Sequence, residues 1–440
     1  EEYIPGGLTA QDNAEIAKIV EPHVDYISLH MGSYWRFHKL LSPMDDPLGH
    51  EMPANEPITK QLTKPTIVVG RIMTLDHAET IVKDGQADMV SMVRALIADP
   101  GLVNKAKQGQ SDLIRPCIGS NFGCVGQIMS TGKLGCVVNI AAAQETEITF
   151  EPTGKPASAE KILIVGGGPA GLEAARTAAI LGHEVHLHEA TKQLGGQVAI
   201  AASAPHRADI GAITRWLETE MERLDVNVTL NSLVDPDLVD EINPDRIVLA
   251  TGSTPRDDGF QLTTPISPLK GFDLKHVYTS WDIFGFGGKV TTQGPAVVFD
   301  DTGTFEAISV ADALLEQGMH VTLVSRYESL GASLPYPPAT VEAAKERLMS
   351  QNFDFIGGHY VQGITEDEVM IGVPFTERKR RLNANTVALI TYNHPNRDLG
   401  DYLTEQLPEM ETRIHTVGDA SGTNGIQAAI HQAANLIRSL

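Results

Sequence analysis

All three cysteines of this chain, Cys117, Cys124 and Cys136, lie in one stretch, RPCIGSNFGCVGQIMSTGKLGC. Together with Ser120 they form the spacing C-x2-S-x3-C-x11-C. Thiolates bind iron-sulfur clusters and zinc, and nearby glycines free backbone amides to hydrogen-bond cluster sulfides. Clustered cysteines in a chain without a secretory signal are more often metal ligands or catalytic groups than disulfides. The stretch therefore indicates an iron-sulfur cluster or a zinc site, with a metal-free loop of thiols as the third alternative.

A glycine-rich turn further along the chain has the pattern of a dinucleotide site. Gly166, Gly168 and Gly171 form G-x-G-x-x-G directly after an apolar strand and at the start of a helix. Glycines at these positions allow a tight turn and the approach of a pyrophosphate to the helix N-terminus. Glu189, at the end of the next strand, can accept a hydrogen bond from a ribose hydroxyl. The pattern predicts an FAD or ADP site, to which Asp419 in the later motif TVGDA can add a contact to a ribityl chain or a ribose.

A second strand-turn-helix unit, PAVVFDDTGTFEA, lacks this fingerprint. Its turn has only Gly303, where several glycines would let a pyrophosphate approach. Arg326, after the following strand, could still meet a 2′-phosphate, although an arginine at a strand end is more often solvated. The sequence favours packing without a ligand here and leaves an NAD(P) site as the alternative.

Two arginines follow apolar strands near the start of the chain. Gly70 and Arg71 end the predicted strand PTIVVGRI, and Arg94 ends the predicted strand ADMVSMVRAL. In (β/α)8 barrels the phosphate site commonly lies in the loops after the last two strands. These positions predict a mononucleotide with its phosphate near Arg94 and an isoalloxazine ring near Arg71, with ordinary surface ion pairs as the alternative.

The elements that must position these groups alternate strand and helix, which predicts an α/β fold. Residues 1–108 contain three short apolar strands with helices between them, as in an open sheet or part of a (β/α)8 barrel. A whole barrel needs roughly 250 residues. Because a three-strand piece leaves strand edges open to water, we expect another polypeptide segment to complete it.

The rest of the chain divides into a cysteine segment and two doubly wound domains. Residues 109–158 form the cysteine segment. Residues 159–290 and 386–440 are predicted to form the domain around the glycine turn, ending in a strand, a turn and a helix. Residues 291–385 are predicted to form a second Rossmann-like domain inserted in the first.

Composition excludes some classes of partner. The chain has 34 basic and 56 acidic residues, a net charge of -22, which opposes binding to nucleic acid. No long apolar run or signal peptide is visible, so we expect neither a membrane span nor secretion, and the predicted compartment is the cytoplasm.

Taken in order, the motifs resemble those of the iron-sulfur flavoprotein family of trimethylamine dehydrogenase and 2,4-dienoyl-CoA reductase. The resemblance covers essentially the whole chain and rests on VVGRI, VRALIADP, RPCIGSNFGC with the later cysteine, VVN, GGGPAGLEAA, LGGQ, VLATGS and VGDA. It implies that residues 1–108 hold strands 6 to 8 of an FMN-binding barrel, the N-terminal part of which is absent from this chain. It also implies a polypeptide that supplies those strands, an electron-carrier protein and an oligomer.

The resemblance assigns residues to three cofactors. FMN would contact Gly70, Arg71 and Arg94. A 4Fe-4S cluster would be held by the three cysteines, with Ser120 or an exogenous ligand on the fourth iron. Ser120 departs from the family pattern, and an oxygen ligand is expected to lower the cluster potential. The FAD or ADP site would comprise Gly166, Gly168, Gly171, Glu189, Gly196, Gln197, Thr251, Gly252, Gly418 and Asp419.

The implied function is that of a flavin-dependent oxidoreductase. We expect a small or N-methylated amine to be oxidised at FMN, with electrons leaving through the cluster to a carrier because the second glycine fingerprint is absent. An NAD(P)H-dependent enoyl reductase and a non-catalytic electron-transfer subunit completed by a partner chain are the alternatives. Pocket candidates at or just after a strand mouth, with aromatics suited to a cationic amine, are Tyr26, His30, Tyr34 and Trp35. No catalytic acid or base is assigned.

Overall fold

A computed structural model describes residues 1–154, 156, 158–288, 290–422 and 425–440. It divides into two compact units. The first comprises Glu1–Gln144 and Pro335–Ala343, and the second comprises Glu145–Leu334 and Ala344–Leu440. The predicted segments also contain positions outside the described residues, namely Lys155, Ala157, Lys289, Thr423 and Asn424.

The first unit is built on a three-stranded parallel sheet in the order β1-β2-β3. Its strands are β1 (Ile27–Leu29), β2 (Thr66–Val68) and β3 (Met89–Val90). Its helices are Ala10–Val20, Phe37–Leu40, Met52–Thr59, Leu75–Lys83, Val93–Ala98, Leu102–Lys107, Gln127–Thr131 and Pro337–Thr340. Because the strands are parallel, their carboxyl ends share one edge of the sheet, which we call the carboxyl edge.

The predicted strand at 87–96 is wrong in its second half. Only Met89–Val90 is extended, and Val93–Ala98 is a helix. Ala95 and Ala98 are buried three positions apart, which is the spacing of one helix face. Arg94 therefore lies in the first turn of this helix and not at a strand end.

The second unit contains two parallel sheets. Its strands are β4 (Lys161–Val165), β5 (Glu184–His188), β6 (Asn227–Thr229), β7 (Arg246–Leu249), β8 (Ser253–Thr254), β9 (Val277–Tyr278), β10 (Ala296–Asp300), β11 (Val321–Ser325), β12 (Phe353–Ile356), β13 (Tyr360–Ile364), β14 (Glu368–Gly372), β15 (Lys379–Asn383), β16 (Thr386–Ile390), β17 (His394–Pro395) and β18 (Ile414–Thr416). The first sheet has the order β18-β7-β4-β5-β6 and the second β12-β11-β10-β16-β9. Strands β13-β14-β15 form an antiparallel sheet, and β17 pairs with β8.

The helices of this unit follow the alternation expected from the sequence. They are Pro169–Leu181, Gln197–Ser203, Ala212–Arg223, Pro236–Ile242, Ser280–Ile283, Phe305–Glu316, Glu342–Met349, Asp398–Gln406 and Gly425–Ser439. Among the described residues, no helix combines the length and apolar character needed to cross a bilayer.

Two strands lie on the other side of a predicted domain boundary. Strand β16 was predicted within 386–440, but it pairs with β10 and β9 of the second sheet. Strand β9, predicted within 159–290, also belongs to the second sheet. All five residues of β16 are buried, as is typical of a central parallel strand covered on both faces. Along the chain, every strand of the second sheet lies between β7 and β18 of the first.

A buried arginine anchors the helix Pro169–Leu181 in the second unit. Arg176 is 1% exposed, and its Nε donates to Glu220 Oε2 at 2.8 Å. The same guanidinium bonds Glu151, faces Glu173 at 3.6 Å and lies 5.0 Å from the ring centre of Trp216. One cation therefore neutralises carboxylates from two helices and a preceding loop.

We expect Arg176→Met to destabilise this unit by about 3–5 kcal/mol, because it leaves buried carboxylates without their counter-charge. Urea unfolding followed by tryptophan fluorescence measures the loss, since Trp216 stacks on the deleted group. Arg223→Met is the matched control: Arg223 also bonds Glu220, at 2.6 Å, but its side chain is 39% exposed. A loss for Arg176→Met no larger than that of the control would contradict the prediction.

Candidate functional site

In the glycine turn after β4, close backbone contacts require glycine at two positions but not at the third. A Cβ at Gly166 would overlap the carbonyl oxygen of Ala250, and a Cβ at Gly171 would overlap that of Gly166. Gly168 has a φ of -76°, and a Cβ there would meet nothing within 4 Å. The space in front of Gly168, at the N-terminus of the helix Pro169–Leu181, is therefore open, as a pyrophosphate site requires.

Glu189 borders this turn directly after β5. Its Oε2 accepts from the Gly167 amide at 2.7 Å and its Oε1 from the Thr191 amide at 2.8 Å. A carboxylate has further lone pairs that can accept from a ligand. The predicted ribose contact thus lies beside the turn.

The other predicted dinucleotide residues converge on the same opening. A Cβ at Gly196 would lie 3.3 Å from the Cα of Gly168. Gln197 Nε2 donates to Ser253 Oγ at 3.0 Å and to Asp419 Oδ2 at 3.3 Å. The motifs LGGQ, VLATGS and VGDA, which are distant in sequence, therefore meet at one site.

Gly418 allows the final strand to approach this site closely. Its φ is +66°, and a Cβ there would lie 2.9 Å from Ala170 Cβ in the helix that follows the glycine turn. Asp419 is thereby brought toward the opening.

Sequence reasoning missed two asparagines that complete the wall of the site. Asn393 Nδ2 donates to Ser253 Oγ at 3.1 Å. Thr251 Oγ1 donates to the Asn396 carbonyl at 2.7 Å, and the Asn396 amide donates to the Gly252 carbonyl at 2.9 Å. The polar run YNHPN directly after β16 was the available signal.

In the first unit, all four positions of the cysteine motif line one pocket, whose unfilled space including its solvent-filled mouth is about 310 Å³. Two features bring the chain segments together. A Cβ at Gly123 would lie 2.5 Å from the Val137 amide nitrogen, so only glycine permits this approach. Phe122–Gly126 forms a π-helix, which begins after Asn121 with a φ of +63°. The pocket is lined by Cys117, Ser120, Cys124, Cys136, Arg94, Ile97, Ile118, Asn121, Gly123, Val137 and Val138.

The chemistry of the pocket suits a bound cation or cluster. Burial raises the pKa of Cys117, and burial together with the nearby Cys117 raises that of Cys136 to about 12. Backbone amides of Gly119, Val138 and Asn139 donate toward these two sulfurs. Buried thiols need a compensating positive charge to ionise, and amide donors to sulfur are typical of iron-sulfur sites.

Within the described part of the chain, no three His, Cys, Asp or Glu side chains lie where they could hold one metal ion. In a cluster each thiolate binds its own iron, so the sulfurs need not converge on a single point. The pocket and this result are therefore compatible. Ser120 Oγ accepts from the Phe122 amide at 3.3 Å, which turns the side chain toward the loop backbone.

Gly70, Arg71 and Arg94 lie near the carboxyl edge of the first unit. Gly70 and Arg71 have φ values of +124° and +57° and follow β2. The Arg71 guanidinium is buried and bonds the Asp46 carbonyl. Arg94 Nη1 donates to the Ser42 carbonyl and to Asn121 Oδ1, both at 2.7 Å. Arg94 thus connects the loop after β1 with the cysteine pocket.

Glu51 is a further candidate site residue, and no sequence pattern marks it. It is 1% exposed, and its Oε2 accepts from the Met31 amide at 2.8 Å. A Cβ at Gly70 would lie 2.6 Å from Glu51 Cβ, so this glycine makes room for the side chain. Burial raises the pKa of Glu51 to about 7.

The four pocket candidates do not form one group. Tyr26 precedes β1 and so lies at the opposite end of the strand from His30, which corrects its predicted place at the mouth. Tyr34 and Trp35, in the short helix Tyr34–Arg36, are 85% and 86% exposed. Only His30 lies at the carboxyl edge beside Glu51, with 3.9 Å between its Nε2 and Glu51 Oε1.

The turn of the second sheet is filled by its own carboxylate. Asp300 Oδ1 accepts from the amides of Thr302 at 3.0 Å and Gly303 at 2.7 Å. Asp301 pairs with Arg326 Nε at 2.9 Å, and burial raises the pKa of Asp301 to about 6. A Cβ at Gly303 would lie 2.8 Å from Ser333 Oγ. The amides that would face a pyrophosphate already have Asp300 as their acceptor, and Arg326 is paired with Asp301.

Residues 160–424 match the family model of the pyridine nucleotide-disulphide oxidoreductases. The chain belongs to this family. Residues 7–112 match a second model, the NADH:flavin oxidoreductase / NADH oxidase family. The two matches confirm the resemblance to flavoproteins of the trimethylamine dehydrogenase type and the expectation of FMN-type and FAD- or NAD-type binding regions.

Individual relatives agree with this assignment. An NADH oxidase of Thermoanaerobacter brockii is 32% identical over 98% of this chain and 64% of its own length. An N,N-dimethylglycine/sarcosine dehydrogenase of Chromohalobacter salexigens is 33% identical over 76% of this chain and 48% of its own. The solved structure of 6-hydroxypseudooxynicotine amine oxidase from Pseudomonas geniculata N1 is 25% identical, with a TM-score of 0.90 over 100% of this chain and 66% of its own. The chain thus spans less than two thirds of each, and its α/β fold with parallel sheets is confirmed.

We expect Gly168→Val to abolish retention of FAD or ADP without unfolding the second unit. A Cβ at this position meets no protein atom within 4 Å. The valine side chain therefore occupies the opening in front of the helix, where the pyrophosphate is predicted to bind. The measurement is the adenine content of the purified variant, with thermal melting as the check on folding. Gly363→Val is the control, because a Cβ there meets only the Lys270 carbonyl oxygen, at 3.9 Å. Unchanged adenine content in Gly168→Val would refute the assignment.

Proposed function

We propose that this oxidoreductase oxidises a small, N-methylated amine at FMN and passes electrons through a 4Fe-4S cluster to a carrier protein. The observation that carries the proposal is the cysteine pocket, which shares Arg94 with the predicted FMN phosphate site in the same unit. The similarity to an N,N-dimethylglycine/sarcosine dehydrogenase supports an amine as the substrate.

Each cofactor has residues that would hold it. FMN would be bound at the carboxyl edge by Gly70, Arg71 and Arg94, in a barrel completed by further strands outside this chain. The cluster would be held by the three cysteines, with Ser120 or an exogenous ligand at the fourth iron. FAD or ADP would occupy the opening in front of Gly168. When bound, the flavin supplies hydride acceptance and the cluster supplies single-electron transfer.

The protein positions and insulates these groups. Asn121 Nδ2 donates to the carbonyls of Leu41 at 2.6 Å and Ala339 at 3.0 Å, while its Oδ1 accepts from Arg94. The cysteine loop is therefore tied directly to Leu41 in the loop after β1, indirectly to Ser42 in the same loop through Arg94, and to the helix Pro337–Thr340 through Ala339. Ile97, Ile118, Val137 and Val138 give the pocket an apolar lining, which limits the access of water.

The turn after β10, whose amides are bonded by Asp300, supports electron transfer from the flavin to a carrier protein rather than from NAD(P)H to the flavin. An NAD(P) pyrophosphate approaching this turn would find the Thr302 and Gly303 amides already bonded to Asp300 Oδ1. We infer that the inserted sheet takes no nicotinamide nucleotide. Electrons then leave through a carrier protein.

An NAD(P)H-dependent reductase is the second candidate. The similarity to an NADH oxidase over nearly the whole chain favours it. It requires nicotinamide entry at the opening in front of Gly168 or at another surface.

The two candidates are separated by anaerobic reduction of the holoenzyme, including the polypeptide that completes the barrel. We expect N,N-dimethylglycine or sarcosine to bleach the flavin absorbance within one turnover and NADH to leave it unchanged. NADH-dependent bleaching without a response to any N-methylated amine would replace the proposal with the reductase. Bound flavin that responds to neither reductant would indicate an electron-transfer subunit.

We expect Cys124→Ala to abolish cluster absorbance and to leave adenine content unchanged, because the two sites lie in separate units. Iron, sulfide, zinc and adenine are quantified in the purified variant. Ser120→Cys is the control: it supplies a fourth thiolate, should keep four irons per chain, and should raise the midpoint potential. Equal loss of iron and adenine in Cys124→Ala would contradict independent sites, and zinc without sulfide in the wild type would replace the cluster by a zinc centre.

A further inference from the structure

We propose that His30 is the catalytic base of the amine site and that Glu51 is its positioning residue. This inference rests on the proposed function and deepens it, since it names the group that accepts the substrate proton. It rests on the positions of the His30 imidazole and the buried Glu51 carboxylate at the ends of β1 and β2.

The location of His30 matches the place where barrel enzymes carry their chemistry. His30 follows β1 directly, at the carboxyl edge. Active sites of (β/α)8 barrels lie at this face of the sheet. The same edge carries Gly70 and Arg71 after β2, where FMN is proposed to bind.

The hydrogen bonding of His30 fixes which ring nitrogen can act as a base. Nε2 lies 2.9 Å from the Leu40 carbonyl oxygen. A carbonyl can only accept, so Nε2 carries the proton and Nδ1 of the neutral ring keeps its lone pair. Among the described residues the side chain is 42% exposed, and Nδ1 is the ring nitrogen that can accept the substrate proton.

Glu51 supplies a buried negative charge behind the ring. Its Oε1 lies 3.9 Å from His30 Nε2, and the Met31 amide fixes its Oε2. The Glu51 side chain lies between Met31, which follows β1, and Gly70, which follows β2. It therefore contacts the ends of both strands. A carboxylate behind an imidazole stabilises the cation that forms when the ring takes a proton.

The charged and titratable groups that face Glu51 come from several elements. They are His30, His50, Arg94, Tyr3 and the amino group of Glu1, and Asp46 faces His50 in turn. Burial outweighs the positive groups among them and raises the pKa of Glu51 to about 7. The charge behind His30 therefore develops as the pH rises through neutrality.

The proposed step is a proton transfer that precedes oxidation. An N-methylated amine is a cation at neutral pH, and its nitrogen lone pair must be free before its carbon is oxidised. The N–H bond of the ammonium breaks, the proton goes to Nδ1 of His30, and the electron pair stays on the substrate nitrogen. No oxidant is needed for this step.

His50 provides a matched comparison within the same cluster. Its Nε2 also lies 3.9 Å from Glu51 Oε1 and 3.2 Å from a carbonyl oxygen, that of Lys39. Its side chain is only 7% exposed. His50 therefore lies at the same distance from Glu51 as His30 does, but it is buried and is not accessible to a substrate.

The test is the pH profile of N,N-dimethylglycine oxidation by the holoenzyme. We expect His30→Gln to lower kcat/KM by about 100-fold or more and to remove the acid limb of the profile. We expect Glu51→Gln to keep the limb and to move it toward lower pH, because the negative charge behind the ring is lost, and His50→Gln to keep the limb as well. An active wild type with His30→Gln unchanged would overturn the proposal, whereas a wild type inactive on every N-methylated amine would overturn the proposed function and the base together.

A second measurement needs no variant. Diethyl pyrocarbonate modifies neutral imidazoles, and peptide mass spectrometry locates the product. We expect His30 in the wild-type holoenzyme to react and N,N-dimethylglycine to protect it, with reaction falling as the ring becomes protonated. Reaction at His30 that saturating amine does not slow would show that the substrate binds elsewhere and would overturn the proposal.

Discussion

The second unit depends on a backbone contact that no side chain can share. At the turn after β4, the carbonyl oxygens of Ala250 and Gly166 occupy the places where Cβ atoms of Gly166 and Gly171 would stand. The helix Pro169–Leu181 can therefore begin directly against the end of β7. Its N-terminal amides then face the opening that Gly168 leaves, and the segments around Gly196 and Gly418 close around that opening. The opening predicted to bind a nucleotide follows from this one close approach.

The two parallel sheets of this unit share a topology but differ in how accessible the amides of their first turn are to a ligand. In the first turn, Glu189 comes from the neighbouring strand and accepts from one amide at the border of the opening. In the second turn, Asp300 comes from the strand itself, lies beneath the turn and accepts from two amides. A carboxylate at the side leaves room for a pyrophosphate, while one at the centre replaces it. The position of a single acidic residue relative to the strand end separates the two cases.

Local patterns made the glycine turn, the cysteine segment and most strands predictable, because their residues are close in sequence or at fixed spacing. Pairing between distant strands is not encoded locally, so β16 was assigned to the wrong sheet. The run around Arg94 is short and apolar, and such runs do not distinguish strand from helix. Glu51 was not predicted for a different reason. Its role comes from its burial between Met31 and Gly70, and neither residue type nor sequence spacing indicates that burial. Asn393 and Asn396 likewise gain their roles only when the loop after β16 reaches Ser253 and Gly252.

In the first unit, one polar network joins the cysteine pocket to the carboxyl edge. Arg94 binds the loop after β1 through the Ser42 carbonyl and the cysteine loop through Asn121. Asn121 in turn holds the Leu41 carbonyl, one residue away from the carbonyl that fixes His30. The ends of this network are the proposed base and the proposed cluster ligands. If the proposed base and cluster act as inferred, these contacts would hold the two sites at a fixed separation, because adjacent residues of one loop bond His30 and the cysteine loop.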